Sequence, residues 1–139
     1  MSFKPLTTMT LAMTLIFGSA LGAAACPQPL TLQAADHVSI SALNYEAQSP
    51  KAVVLLFHQA GSSKAEYATI ALRLAASGYS SLAIDQRSGG TLFGPNETAG
   101  RLSKSASYAA AKADLVAALD GPRSGIFLLS CGAVATRQR

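Results

Sequence analysis

The sequence predicts an α/β fold: an N-terminal antiparallel hairpin, then three mostly parallel strands joined by crossover helices. Three observations carry this. Two short apolar runs, Ala52 to Phe57 and Tyr79 to Ile84, flank a segment with helical periodicity. In front of them apolar residues alternate with polar ones, as in half-buried strands. Behind them a second helix-period segment leads to a third apolar run, Ile126 to Leu129. Strands alternating with helices behind a hairpin make a layered α/β domain.

The elements follow in order. Residues 1–25 read as a secretory signal peptide. Lys4 is the only charge before Asp36, an apolar stretch runs from Leu6 to Leu21, and Ala23 and Ala25 form the small-residue exit. Cleavage is expected before Cys26, leaving residues 26–139 as one domain with a modest core. Two alternatives stay open: a leader kept as a membrane anchor, and acylation of Cys26. The second lacks the usual leucine three residues earlier, where Ala23 stands. Cys26 and Cys131 are the only cysteines. An exported protein can pair them, but a Cys26 in an N-terminal tail favours unpaired thiols or lipidation.

Leu30 and Leu32, then Val38, Ile40 and Ala42, alternate around Ala35-Asp36-His37, which reads as a hairpin with His37 in a solvated turn. Ala52 to Phe57 reads as a strand buried on both faces. Ser63-Lys64-Ala65-Glu66 has capping-box spacing. Tyr67, Ile70, Ala71 and Leu74 then fall on one helical stripe, and Gly78 stops the helix. Tyr79 to Ile84 is a second buried strand. Thr91 to Ser103 reads as a long irregular loop, of the kind that is functional or mobile. Its Asn96-Glu97-Thr98 sequon match is of a kind common by chance. A second helix is expected over Ala106 to Leu119, with Tyr108, Ala111, Leu115 and Leu119 on one face and Asp120-Gly121-Pro122 as its end.

Composition excludes some functions. Half of the residues are hydrophobic, 13% are charged, and the formal charge is +4. The basic residues are scattered, with no aromatic-basic stripe, so no nucleic-acid partner is expected. Gly61-Ser62-Ser63-Lys64 lacks the first glycine of a P-loop, and no G-x-G-x-x-G occurs. His37 and His58 form no metal-ligand spacing with Cys26 or Cys131, so neither metal nor cofactor is expected.

In open parallel sheets, ligands gather at the carboxyl ends of strands. Three such ends are His58 to Ser63, Asp85 to Gly90, and Ser130 to Ala133. An apolar strand followed by His58-Gln59-Ala60-Gly61-Ser62, a helix, and Gly78-Tyr79 through Asp85-Gln86-Arg87-Ser88-Gly89-Gly90 resembles the amino-terminal half of the α/β-hydrolase fold. The similarity runs from about Leu30 to Leu129, closest to exported serine-aminopeptidase-like or dienelactone-hydrolase-like members. It implies an incomplete α/β-hydrolase-type sheet, acting in the intact family on a small-molecule ester or amide. It also implies that Ala60 offers an oxyanion-hole N–H, with Gln59 replacing the usual glycine, Gly61 in the same loop, and His58 bracing the loop. The Asp85-to-Gly89 turn would be structural.

The family's chemistry needs a G-x-S-x-G elbow followed by an acid and a histidine. After Ile126 to Leu129 come Ser130-Cys131-Gly132-Ala133-Val134, and no histidine follows His58. If Gly132 opened the elbow, Val134 would hold the nucleophile position. Cys131 is a weak nucleophile candidate, with Leu129 and Ala133 in place of the glycines; it reads better as a buried structural cysteine. The chain is therefore expected to be an inactive fragment, a truncated or frameshifted product, or a diverged form. Loss of the triad leaves on the order of 10³-fold rate enhancement over water. The alternative is a small exported, non-catalytic binding module on the same scaffold. Location is expected to be periplasmic or secreted, with membrane contact only through a retained leader or a lipidated Cys26.

Overall fold

A computed structural model describes residues 26–123. The leader, the apolar run Ile126 to Leu129 and Cys131 lie outside the described residues. Four strands form one mixed sheet: β1 (Pro27–Gln33), β2 (Ser39–Tyr45), β3 (Ala52–Phe57) and β4 (Tyr79–Ile84), in the order β1-β2-β4-β3. β1 and β2 are the expected hairpin, paired from Pro27 opposite Tyr45 to Gln33 opposite Ser39. His37 is exposed in its turn with φ of 64°, a conformation that L-residues adopt sparingly. β2 runs antiparallel to β4, and β3 runs parallel to β4.

Two apolar layers cover the sheet. On one face Leu32, Ile40, Ala42, Leu82 and Ile84 pack with Ala118 of helix α3 (Lys112–Arg123). On the other, Tyr45, Leu56 and Ala83 pack with Ala71 of helix α1 (Ala68–Ala76). Alternation along each strand sends successive side chains to opposite layers, so β4 is buried from Ser80 to Ile84. β3 differs from expectation. Only Leu56 is buried, and Val53 is 38% exposed. The reason is position: β4 holds the interior of the sheet, whereas β3 has a partner strand on one side only among the described residues.

The helices also depart from the sequence pattern. The segment after Ser63 opens as a 3-10 turn, Lys64–Tyr67, which passes into α1. Ser63 Oγ accepts from the Ala65 N–H at 3.4 Å, but Glu66 does not close a capping box. Its carboxylate instead accepts the Gln59 N–H at 3.2 Å. Ala71 and Ala75 centre the buried face of α1. Ile70, about 100° from Ala71 around the axis, is 48% exposed. Gly78, at φ 85°, follows the helix as expected.

Thr91 to Ser103 is not wholly irregular, since it contains a one-turn helix, α2 (Glu97–Gly100). Helix α3 begins later than expected, after turns at residues 107–111, and continues through Asp120-Gly121-Pro122. Tyr108 is 71% and Leu119 51% exposed. The buried face is Ala111, Asp114, Ala118 and Gly121, small residues plus one paired carboxylate that let the helix lie close to the sheet. Among the described residues no helix is long and apolar enough to cross a membrane.

Candidate active-site loops at the carboxyl ends of β3 and β4

β3 ends at Phe57, and its next residues cross to those following β4. His58 is 7% exposed. The Gln86 N–H lies 2.9 Å from its Nε2, and an amide only donates, so Nε2 is the acceptor. Nδ1 therefore carries the hydrogen and donates to the Gln59 carbonyl at 2.9 Å. The Gln86 side-chain amide returns a bond to the His58 carbonyl at 3.1 Å. Both ring nitrogens are occupied by backbone, so the ring ties two loops together.

Gln59, Ala60, Gly61 and Ser62 form a β-turn closed by Ser62 N–H to the Gln59 carbonyl at 3.2 Å. Gly61 sits at φ 75° while Ala60 keeps a negative φ, the pattern of a type II turn, whose third position requires glycine. Gln59, Ala60 and Gly61 are exposed. The Ala60 and Gly61 N–H groups have no hydrogen-bond partner among the described residues. Ser62 Oγ, fully buried, also lacks one.

The segment after β4 is packed onto this turn. Gly90 N–H bonds the Ser62 carbonyl at 2.8 Å, and Leu92 N–H bonds the Gly61 carbonyl at 3.1 Å. A Cβ on Gly89 would fall 2.2 Å from Asn96 Nδ2 and 2.5 Å from the Ser62 carbonyl oxygen, and one on Gly90 2.6 Å from the Gly61 oxygen. Glycine is required at both for close approach. Asn96, 5% exposed, closes the joint. Its Nδ2 donates to the Gln86 carbonyl at 2.9 Å and lies 3.4 Å from the Ser62 carbonyl, while its Oδ1 caps α2 at the Ala99 N–H, 2.8 Å away. Thr98 Oγ1 accepts the Ser41 N–H at 2.9 Å. Both the Asn and the Thr of the sequon are thus buried and engaged inside the protein.

Two charged groups anchor these loops. Asp85 is fully buried and accepts the Lys64 N–H at 2.8 Å, the Lys64 ammonium at 2.6 Å and the Glu97 N–H at 2.8 Å. It holds the first residue of the 3-10 turn and the first of α2. Glu97 in turn accepts from Ser41 Oγ at 2.5 Å, and this bond, with the nearby Lys64, holds its carboxyl below the usual range. Arg87 pairs with buried Asp114 at 2.7 Å and with Asp36 in the hairpin turn. Its hydrogen bond to Asp36 is the largest influence on both groups, raising the guanidinium and lowering the Asp36 carboxyl to about 2.

His58, Gln59, Ala60 and Gly61 thus come together with the Asp85-to-Gly90 turn, and Cys131 lies outside the described residues. Sequence reasoning missed Asn96 and the joining roles of Lys64 and Leu92. Asn96 had a readable signal, a helix-capping residue with Glu97 in the first turn. No group of His, Cys, Asp or Glu among the described residues could hold a metal ion.

Neither a protein-family model nor a curated protein matches the chain. It is similar to solved structures of the Pyrococcus furiosus esterase Pf2001. One crystal form shares 22% identity at a TM-score of 0.51, covering 74% of this chain and 36% of the esterase chain. Two others give 22% identity with 0.49, over 74% and 36% of the two chains, and 24% with 0.47, over 72% and 37%. The likeness of the first shows an esterase-like α/β fold. The chain spans little more than a third of that esterase's length.

Proposed function

We propose that this chain carries the oxyanion side of an exported hydrolase-type site for an ester or amide carbonyl, and that by itself it does not turn such substrates over. The observation that carries the reading is the exposed stretch Gln59-Ala60-Gly61 of the turn, whose Ala60 N–H has no partner among the described residues. Acyl transfer places negative charge on the carbonyl oxygen, and a donor already aimed there needs no reorganisation. Here the donor is fixed from behind by His58, Asn96 and the two close-packed glycines. The esterase-like fold supports the same placement. Within the 139 residues there is no G-x-S-x-G and no histidine after His58, so the general base is lacking. That lack favours a second reading: a non-catalytic module that binds a carbonyl or carboxylate ligand on this scaffold. Export rests on the apolar leader ahead of Cys26, in which Lys4 is the only charge.

Two measurements on the purified chain test the reading. A short-chain nitrophenyl ester should be hydrolysed no faster than in buffer; turnover abolished by a serine-directed phosphonate would overturn the inactivity. Titration with acetate, followed by amide NMR, should move the Ala60 resonance. If Ala60 does not move, the turn is a plain connection between β3 and α1.

A further inference from the structure

We infer that Glu66 gives the Ala60 turn a preference for carbonyl or carboxylate ligands that carry a cationic group, an ammonium or a guanidinium, a few bonds from the oxygen. This rests on the Ala60 reading above and adds the charge of the ligand. Glu66 Oε2 accepts the Gln59 N–H at 3.2 Å. The Ala60 nitrogen is one residue further along the exposed turn, a step of at most about 3.6 Å. The carboxylate oxygen therefore stands within about 7 Å of the Ala60 N–H. The chain itself sets this position: Ser63 caps the 3-10 turn, and Glu66 within that turn bonds back to the residues that follow β3.

No cation among the described residues is paired with that charge. Asp36, Asp85, Asp114, Glu97 and Asp120 each meet a lysine or an arginine. The Glu66 carboxylate has only the Gln59 N–H as a partner among the described residues. Residues 58–63 contain no lysine or arginine, and Lys64 is committed to Asp85 at 2.6 Å, with Glu97 at 3.5 Å. The charge is felt at the end of β3. The Tyr67 phenol, which donates to the Phe57 carbonyl at 2.6 Å, is pushed up by burial first and by Glu66 second. A half-buried carboxylate without a counterion attracts a cation and repels a second anion. A ligand whose oxygen rests on the Ala60 N–H thus gains from a positive group on this side and loses from a negative one. The same carboxylate braces the turn, so a test must remove its charge and keep its hydrogen bond.

Acetate and glycine make the matched pair, since they differ by one ammonium. Each is titrated into the full-length chain at neutral pH and low salt and followed by amide NMR. Glycine is expected to bind about threefold more tightly, the scale of a half-exposed ion pair. It should move the Ala60 and Gln59 amides on one isotherm, and its advantage should shrink as salt is added. Glu66→Gln keeps an oxygen for the Gln59 N–H and removes the charge, so it should bring glycine down to the affinity of acetate. Should that variant disturb the turn, the salt dependence of the unaltered chain decides. Equal affinities, an advantage indifferent to salt, or one that survives Glu66→Gln overturns the role of Glu66, while an acetate-shifted Ala60 leaves the proposed function standing. If glycine moves Gln59 but neither ligand moves Ala60, the oxyanion reading fails and this inference fails with it.

Discussion

Asp85 and Arg87 lie two residues apart just beyond β4, both with buried side chains, and they are satisfied in opposite ways. Asp85 receives two backbone amides and one lysine, all from segments that build the candidate site. Arg87 receives two carboxylates from the other side of the sheet end: Asp114, fully buried, and Asp36, whose side chain is 48% exposed. The carboxylate acts as an internal cap for two helix starts. The guanidinium joins α3 to the hairpin turn and runs from a dry partner to a wet one. The difference teaches where precision is kept. Loops that must hold the Ala60 turn are fixed by buried, directional bonds to backbone, while the distant hairpin is tied by an ion pair open to water and salt.

The largest effect expected from breaking this arrangement is at Asp85. Asp85→Asn keeps the shape but cannot accept from all three donors, and it leaves the Lys64 ammonium, on a residue 8% exposed, facing only Glu97 at 3.5 Å. Removing one partner of a buried pair costs about 3–5 kcal/mol, to be read by urea denaturation. A loss below about 1 kcal/mol, the range of surface pairs, would put Asp85 in the same class as the exposed half of the Arg87 pairing. Next comes Gly89→Ala. The new methyl would meet Asn96 Nδ2 at 2.2 Å and the Ser62 carbonyl at 2.5 Å, so the joint must open. Overpacking of this kind costs about 1–3 kcal/mol, and amide NMR should show the shifts concentrated at residues 58–62 and 86–96. Asn96→Ala follows. It removes the cap on Ala99 and the bond to the Gln86 carbonyl. Loss of such a cap costs about 0.5–2 kcal/mol. An unchanged denaturation midpoint would show that the His58 ring, the Gln86 side chain and the Gly90 and Leu92 amides hold the two loops without Asn96.

The sheet was legible in the sequence because two-residue alternation and short apolar runs report burial directly. The hairpin and both parallel strands lie where Leu30 to Ala42, Ala52 to Phe57 and Tyr79 to Ile84 place them. Helix positions were less legible. Tyr108 and Leu119 suggested an apolar face for α3, yet the helix turns Ala111, Asp114, Ala118 and Gly121 inward. Asp114 is drawn in by Arg87, a partner 27 residues away that no local pattern reveals. The burial of β3 was overestimated because a run of apolar residues does not say whether a strand lies inside a sheet or at its side. Of the site, the Gln59-to-Ser62 turn could be foreseen from its glycine and its place after a strand. Asn96 and the Asp85 bonds depend on contacts between segments, and sequence spacing carries no record of those.

The smallest effect, and the sharpest test of the comparison, is at the wet end of the Arg87 pairing. The guanidinium beside Asp36 holds its carboxyl at about 2, against an ordinary 3.8. A carboxyl lowered in the folded state contributes stability that is present above its unfolded value and lost as pH falls through the folded one. The Asp36 contribution should therefore be whole above about pH 4 and fade toward about pH 2. In Asp36→Asn the stability at neutral pH should drop slightly, and the slope of stability against pH across that window should flatten. It should not vanish, because Glu97 is also held below its ordinary range by Ser41 and Lys64 and so adds its own loss of stability in acid. Added salt should shrink the difference between the two proteins, as it screens a half-exposed pair. If the slope is the same in both proteins, Arg87 takes its hold from buried Asp114 alone, and the two anchors of the β4 terminus are alike in being closed to water.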